Sequence, residues 1–243
     1  MSNLVQQSIN KESLPSSLKT LHFGICFDGM IEPHSLPDTI TRLIFKSNIY
    51  FAPSSHFNKP LQHGSLPSSL TELRLSSVFN HELPIGVLPQ SLTTLIFGED
   101  YTRKLIDGAL PQSLTDLEFS PLYEHGLPLK TASALPGLKK LKMSIYHSEP
   151  LPMVETLSLC DVVDTLIIGN NLPSWPPTLT CLTLSTWLEE YPHIFGLPKF
   201  SRLHCIHINS TFIDQSDVSV GDCPKYQQPA NFTITQNAVH RIL

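Results

Sequence analysis

The stretch His204-Cys205-Ile206-His207 alternates metal-binding residue types, and on a strand Cys205 and His207 share a face. A strand carrying Cys181 alongside would place that thiol about one strand spacing, ~4.8 Å, from Cys205. With His204 close by, three or four soft ligands converging at ~2.0–2.3 Å would hold zinc. The spacing matches no standard zinc motif, however, and a flat strand surface splays its side chains. The expectation is no metal, with Cys181, Cys205 and His207 as the set to locate. Enzymatic chemistry has less support. The sequence holds no GxSxG, no phosphate-cradling GxxxxGK and no HExxH. A lone S-x-x-K at Ser16–Lys19 falls inside a recurring phrase, and the eleven histidines scatter over variable positions. No catalytic residue and no cofactor are expected.

The remaining chemistry is recognition by charged side chains, and a repeat must position them. Leu-Pro pairs begin at Leu14, Leu36, Leu66, Leu88 and Leu110, with a divergent one at Leu135. Each is followed by an apolar triplet spaced three and then two. Leu70/Leu73/Leu75, Leu92/Leu95/Phe97 and Leu114/Leu117/Phe119 are the most regular. The last two members alternate, as in a strand with one buried face, and no triplet extends into a helical period. Each unit is therefore one short strand plus a return of roughly 17 residues. One unit cannot bury its own leucines, but stacked units can, with strands pairing in parallel. The spacing puts Pro at the second position of a type I turn and lets Gly64, Gly86 and Gly108 take tight bends. Phe27, Phe57, Phe79, Tyr101 and Tyr123 recur in the return and read as a stacked spine opposite the strands. Asn58 and Asn80 follow two of them and suit bonding to the turning backbone.

Counting the first triplet member as position one, positions two, three and five face outward, on the side expected to be concave. Position two is Thr41, Thr71, Thr93, Thr115 and Thr180, a choice that suits strands. Positions three and five carry Arg42, Glu72, Arg74, Asp116, Glu118, Lys140 and Lys142, which are the partner-binding candidates. Arg42 and Arg74 flank Glu72, and Asp116 and Glu118 are expected to face Lys139, Lys140 and Lys142 one coil on. Solvated neighbouring pairs worth ~0–1 kcal/mol each are the plainer reading of the same residues.

The phrase L-P-x-S-L-T-x-L-x-F, followed by "FNKPL" from Phe57, "FNHEL" from Phe79 and a G-x-L-P step, resembles the FNIP repeat, which is similar to leucine-rich repeats of about 22 residues. The resemblance is strong over 14–119, weak over 120–208 and absent beyond. It implies a leucine-rich-repeat-like solenoid, mainly β, with a curved parallel sheet on one face and irregular or short helical returns. It also implies a non-enzymatic protein-interaction module. In this family the repeats often accompany an F-box, so a substrate-recognition adaptor for a ubiquitin ligase is the alternative, although only 13 residues precede the first repeat.

The organisation expected is an N-terminal cap over 1–13, a solenoid over 14–208 (regular over 14–143, divergent over 144–208) and a cap or polar tail over 209–243. Leu157 and Leu166 lie nine residues apart, too close for a full coil. The spacing leaves open whether Val154–Leu159 or Val163–Ile168 is the strand in the sheet. Net charge is −5 with only 16 Lys and Arg, so no nucleic-acid partner is expected. Five scattered cysteines and no signal-like start suggest a reduced, cytoplasmic setting, and sequons at Asn209 and Asn231 read as chance. No apolar run approaches the ~18 residues of a membrane span. The partner is an unidentified protein, and the oligomeric state is not specified.

Overall fold

A computed structural model of the chain describes residues 9, 14–45, 56–125, 127, 135–144, 152–160, 176–186, 205–210 and 230–235. It forms two compact units, residues 1–139 and 140–243. The first unit holds β1 (Thr20–Phe23), β2 (Arg42–Phe45), β3 (Glu72–Arg74), β4 (Thr94–Ile96) and β5 (Asp116–Glu118). These pair in parallel in chain order and in strict repeat register, so Leu21, Leu43, Leu73, Leu95 and Leu117 form one row. The second unit holds β6 (Lys140–Ser144), β7 (Thr156–Cys160), β8 (Cys181–Thr186), β9 (Cys205–Ser210) and β10 (Ala230–Thr235). Strands β6 to β9 are parallel, and β10 runs antiparallel along β9. The nine-residue ambiguity is settled by β7, which pairs with both β6 and β8. Val163–Ile168 lies outside the described residues. The returns among the described residues are turns and irregular chain, without a helix.

Burial follows the triplets. Leu43, Leu70, Leu73, Leu92, Leu95 and Leu114 are fully buried, and within each triplet the residues between its members are not. A parallel strand of three residues makes few ladder bonds, so the coil edges need further partners. Threonine at position two supplies one. The Thr41 carbonyl accepts the Thr71 and Glu72 amides at 2.8 and 3.0 Å and the Thr71 hydroxyl at 3.0 Å. Thr93 and Thr115 repeat the pattern on the coil before each, and Thr180 repeats it on Glu155 in the second unit. Serine or threonine at the position before the triplet supplies another. Thr39, Ser69, Ser91 and Ser113 donate to the carbonyls of Leu18, Ile40, Leu70 and Leu92 at 2.6 to 2.9 Å. The "S-L-T" of the phrase is thus a double hydroxyl clamp onto the preceding coil. Each bond is worth about 0.5–1.5 kcal/mol net.

Proline occupies a different turn position from the one the phrase predicts. In the regular coils the bond closes from Leu70 N–H to the Pro67 carbonyl, Leu92 to Pro89 and Leu114 to Pro111, so Pro is the first turn residue. The divergent Leu135-Pro136-Gly137-Leu138 is one residue shorter. There the bond runs from Leu138 to Leu135, and Pro136 moves to the second position. The bends at Gly64, Gly86 and Gly108 do have positive φ, at 82–83°, and His34 takes the equivalent place at 59°.

The aromatic spine stacks as expected, with ring centroids 5.8 to 6.2 Å apart from Phe27 through Phe57, Phe79 and Tyr101 to Tyr123. Four of the five rings pack on the last residue of the preceding apolar triplet: Phe27 on Phe23, Phe57 on Phe45, Tyr101 on Phe97 and Tyr123 on Phe119, at 4.1 to 4.4 Å. The core is a double aromatic column beside the leucine row. The asparagines act as the sequence suggests. Asn58 Oδ1 accepts the Asn80 amide and Asn80 Oδ1 the Thr102 amide, both at 3.1 Å.

Two outcomes check this packing. Leu95→Ala leaves a cavity in a closed row and should cost about 2–5 kcal/mol in urea unfolding, against little for the outward Thr94→Ala; equal midpoints would reverse the inside and outside assignment. Tyr101 is fully buried and its hydroxyl has no hydrogen-bond partner among the described residues, whereas the Tyr123 hydroxyl accepts the Leu105 amide at 3.5 Å. Burial, with Tyr123 and Glu82 close by, holds the Tyr101 phenol well above its ordinary range. Tyr101→Phe should therefore be neutral or raise stability by about 1 kcal/mol; a loss of that size would show the hydroxyl to be bonded.

Candidate interaction surface

Alternation along each strand turns positions three and five away from the leucine row. In the first unit they line up in two rows across the strands. One row is Thr20, Arg42, Glu72, Thr94 and Asp116, and the other His22, Ile44, Arg74, Ile96 and Glu118. The proposed partner-binding residues Arg42, Glu72, Arg74, Asp116 and Glu118 therefore lie on one face. Lys140 and Lys142 hold the same positions on β6 in the second unit, in register with Thr156 and Ser158. Lys139 is exposed, and its amide continues the position-two pattern by donating to the Thr115 carbonyl at 2.8 Å.

The flanking expected around Glu72 is present. Arg42 Nε donates to Glu72 Oε2 at 2.8 Å and Arg74 Nε to Oε1 at 2.7 Å. Burial raises the Glu72 carboxyl, but the hydrogen bonds and charges of Arg74 and Arg42 outweigh it and hold the group below its ordinary 4.5. The Arg side chains are 51% and 49% exposed, so each guanidinium keeps an outward side while sharing the carboxylate. Asp116 Oδ2 lies 2.7 Å from the Thr115 hydroxyl and shares that hydroxyl's one proton with the Thr93 carbonyl.

Sequence reasoning overlooked two features. Ile44 and Ile96 stand among these charges on the outward face, half-buried, where period-two alternation calls for polar residues. His81, Arg103 and His125 recur at the 22-residue step and each bonds the carbonyl of the preceding coil, at Asn58, Asn80 and Thr102, over 3.0 to 3.1 Å. Because that acceptor carries no proton, the imidazole nitrogens donate. The step itself was the available signal for this second clamp.

For the metal candidates, β8 and β9 place Cys181 beside Cys205 and Thr183 beside His207 in backbone register, as the sequence suggests. His204 lies outside the described residues. Among the described residues no three His, Cys, Asp or Glu side chains gather to hold a metal ion. No helix among them is long and apolar enough to cross a membrane.

Short parallel strands, a repeating apolar row and strand-to-strand hydroxyl clamps define a leucine-rich-repeat-like solenoid. More narrowly, the chain carries FNIP repeats: the FNIP Repeat family model matches residues 6–48, 47–78 and 79–121. A solved structure, that of CroV588, described as a novel circular LRR protein structure, is similar with a TM-score of 0.52 and 25% sequence identity, covering 77% of this chain and 34% of that one. The chain thus spans about a third of that protein's length. No curated protein matches the sequence.

Because Glu72 has a lowered pKa, its contribution to stability is present above its ordinary value and is lost as pH falls through the folded value. Glu72→Gln should cost about 1 kcal/mol near neutral pH, a modest figure because the arginines are half-exposed. The gap between wild type and variant should close on acidification, and a gap independent of pH would show that the carboxylate charge is not what stabilises.

Proposed function

We propose that the chain is a non-enzymatic protein-interaction module that binds its partner through the outward face of the first unit's sheet, with Arg42, Glu72, Arg74, Asp116 and Glu118 as the contacting residues; Lys140 and Lys142 are the corresponding candidates on the second unit. The observation that carries this is how the repeat uses its polar groups. The hydroxyls of the phrase, the asparagines and the His81–Arg103–His125 series all bond to adjoining coils. Positions three and five are the outward positions whose side chains change from coil to coil. Repeat solenoids with one continuous sheet face are suited to extended binding surfaces. The six-residue β10, antiparallel on β9, supports reading 209–243 as a C-terminal cap, since it covers the last parallel edge with chain.

Purification of the full chain from its host, with co-purifying proteins quantified, tests the face. Asp116→Lys with Glu118→Lys should deplete a specific partner about tenfold or more, equivalent to ~1.4 kcal/mol, with the urea midpoint unchanged. Partners that persist undiminished with that double variant and with Arg42→Glu/Arg74→Glu would exclude the face. Enrichment of ligase subunits would assign the adaptor role.

A further inference from the structure

Resting on the reading that this sheet face binds protein, the geometry points to an α-helix as the bound element. We propose that the helix lies across β2 to β5 with apolar, acidic, apolar and basic side chains at successive turns. The row at position five runs Ile44, Arg74, Ile96, Glu118 in direct register. Ile44 and Ile96 are outward apolar side chains two strands apart, each only half-buried by its neighbours. Such residues on a polar face are places where a partner gains by excluding water. Arg74 lies between them with its side chain 49% exposed, and Glu118 follows beyond Ile96, beside Asp116. Two guanidiniums and one carboxylate at Arg42, Glu72 and Arg74 leave a net positive charge around Glu72, and Asp116 and Glu118 bring two carboxyl groups to β5.

The spacing selects the conformation of the partner. Strands lie about 4.8 Å apart, so the four positions of the row span about 14 Å. A helix rises 5.4 Å per turn, so residues i, i+4, i+7 and i+11 lie on one face and span about 16 Å. Its turns stay nearly in step with the strands. An extended peptide presents same-side residues every ~6.7 Å and loses step after one strand. Read from β2 toward β5, the helix therefore offers an apolar residue to Ile44, a carboxylate to Arg74, an apolar residue to Ile96 and a cation to Glu118 and Asp116. The four offsets are the same when the helix is reversed, so either chain direction satisfies the row.

The test is selection of a displayed helical library, randomised only at i, i+4, i+7 and i+11 of a fixed twenty-residue helix, on the purified full chain. The selected sequences should converge on apolar, acidic, apolar, basic, in one chain direction or the other. Selection on Arg74→Glu should turn the acidic position basic, and selection on Ile96→Glu should turn the second apolar position basic, each with a wild-type circular dichroism spectrum. No enrichment, convergence on another pattern, or unchanged selection on both variants would overturn the helix. If that happens while the Asp116/Glu118 variant still loses its partner, the sheet face remains the binding site and only the helix falls; if the partner also persists, the face itself is wrong.

Discussion

The position-two carbonyls of Lys19, Thr41, Thr71 and Thr93 each receive three donors from the coil that follows: two backbone amides and a threonine hydroxyl. A strand of three residues makes too few ladder bonds to hold its neighbour by itself. The concentrated bonding at Lys19, Thr41, Thr71 and Thr93 compensates for the short strands, and the serine or threonine just before the triplet adds a further donor. With this edge fixed, the leucine row closes and four of the spine rings land on the last triplet residues Phe23, Phe45, Phe97 and Phe119. The apolar and polar repeats are thus one device, since neither the leucines nor the hydroxyls are satisfied within their own coil.

The return side is held by the same logic with other residues. Asn58 and Asn80 mimic a backbone acceptor for the next coil, and His81, Arg103 and His125 donate back to the coil before. Clamped on both sides, the repeat keeps its phase over many residues. That is why positions three and five of the first unit stand in straight rows, and straight rows give scattered charges the geometry of a surface.

Much of this was legible in the sequence because the period is short and strict. The apolar triplets predicted every strand of the first unit, and the leucine-rich-repeat-like class followed from the need to bury them. The asparagine role was readable for the same reason. Proline was misplaced by one turn position because the Leu-Pro pair looks alike in coils that differ by one residue; only the bond to Leu70 or to Leu138 distinguishes them. The spacing of the rings showed that they recur, but not that they would stack directly on the last triplet residues. Nine-residue spacing could not choose between Leu157 and Leu166, since both satisfy a strand locally and only pairing selects one. On the surface, charge drew the eye and the outward Ile44 and Ile96 did not, although their place in the alternation was already visible.

The claim most exposed to test is that both sides of every coil are clamped to the same stack. Residue-resolved amide hydrogen exchange measures it directly. The strand-side amides of Glu72, Thr94 and Asp116 and the return-side amides of Asn80 and Thr102 should exchange with one shared opening free energy and one denaturant dependence. Slow strand amides with Asn80 and Thr102 exchanging near their unprotected rates would contradict the account, because the return would then hang from the sheet instead of being bonded to its neighbours.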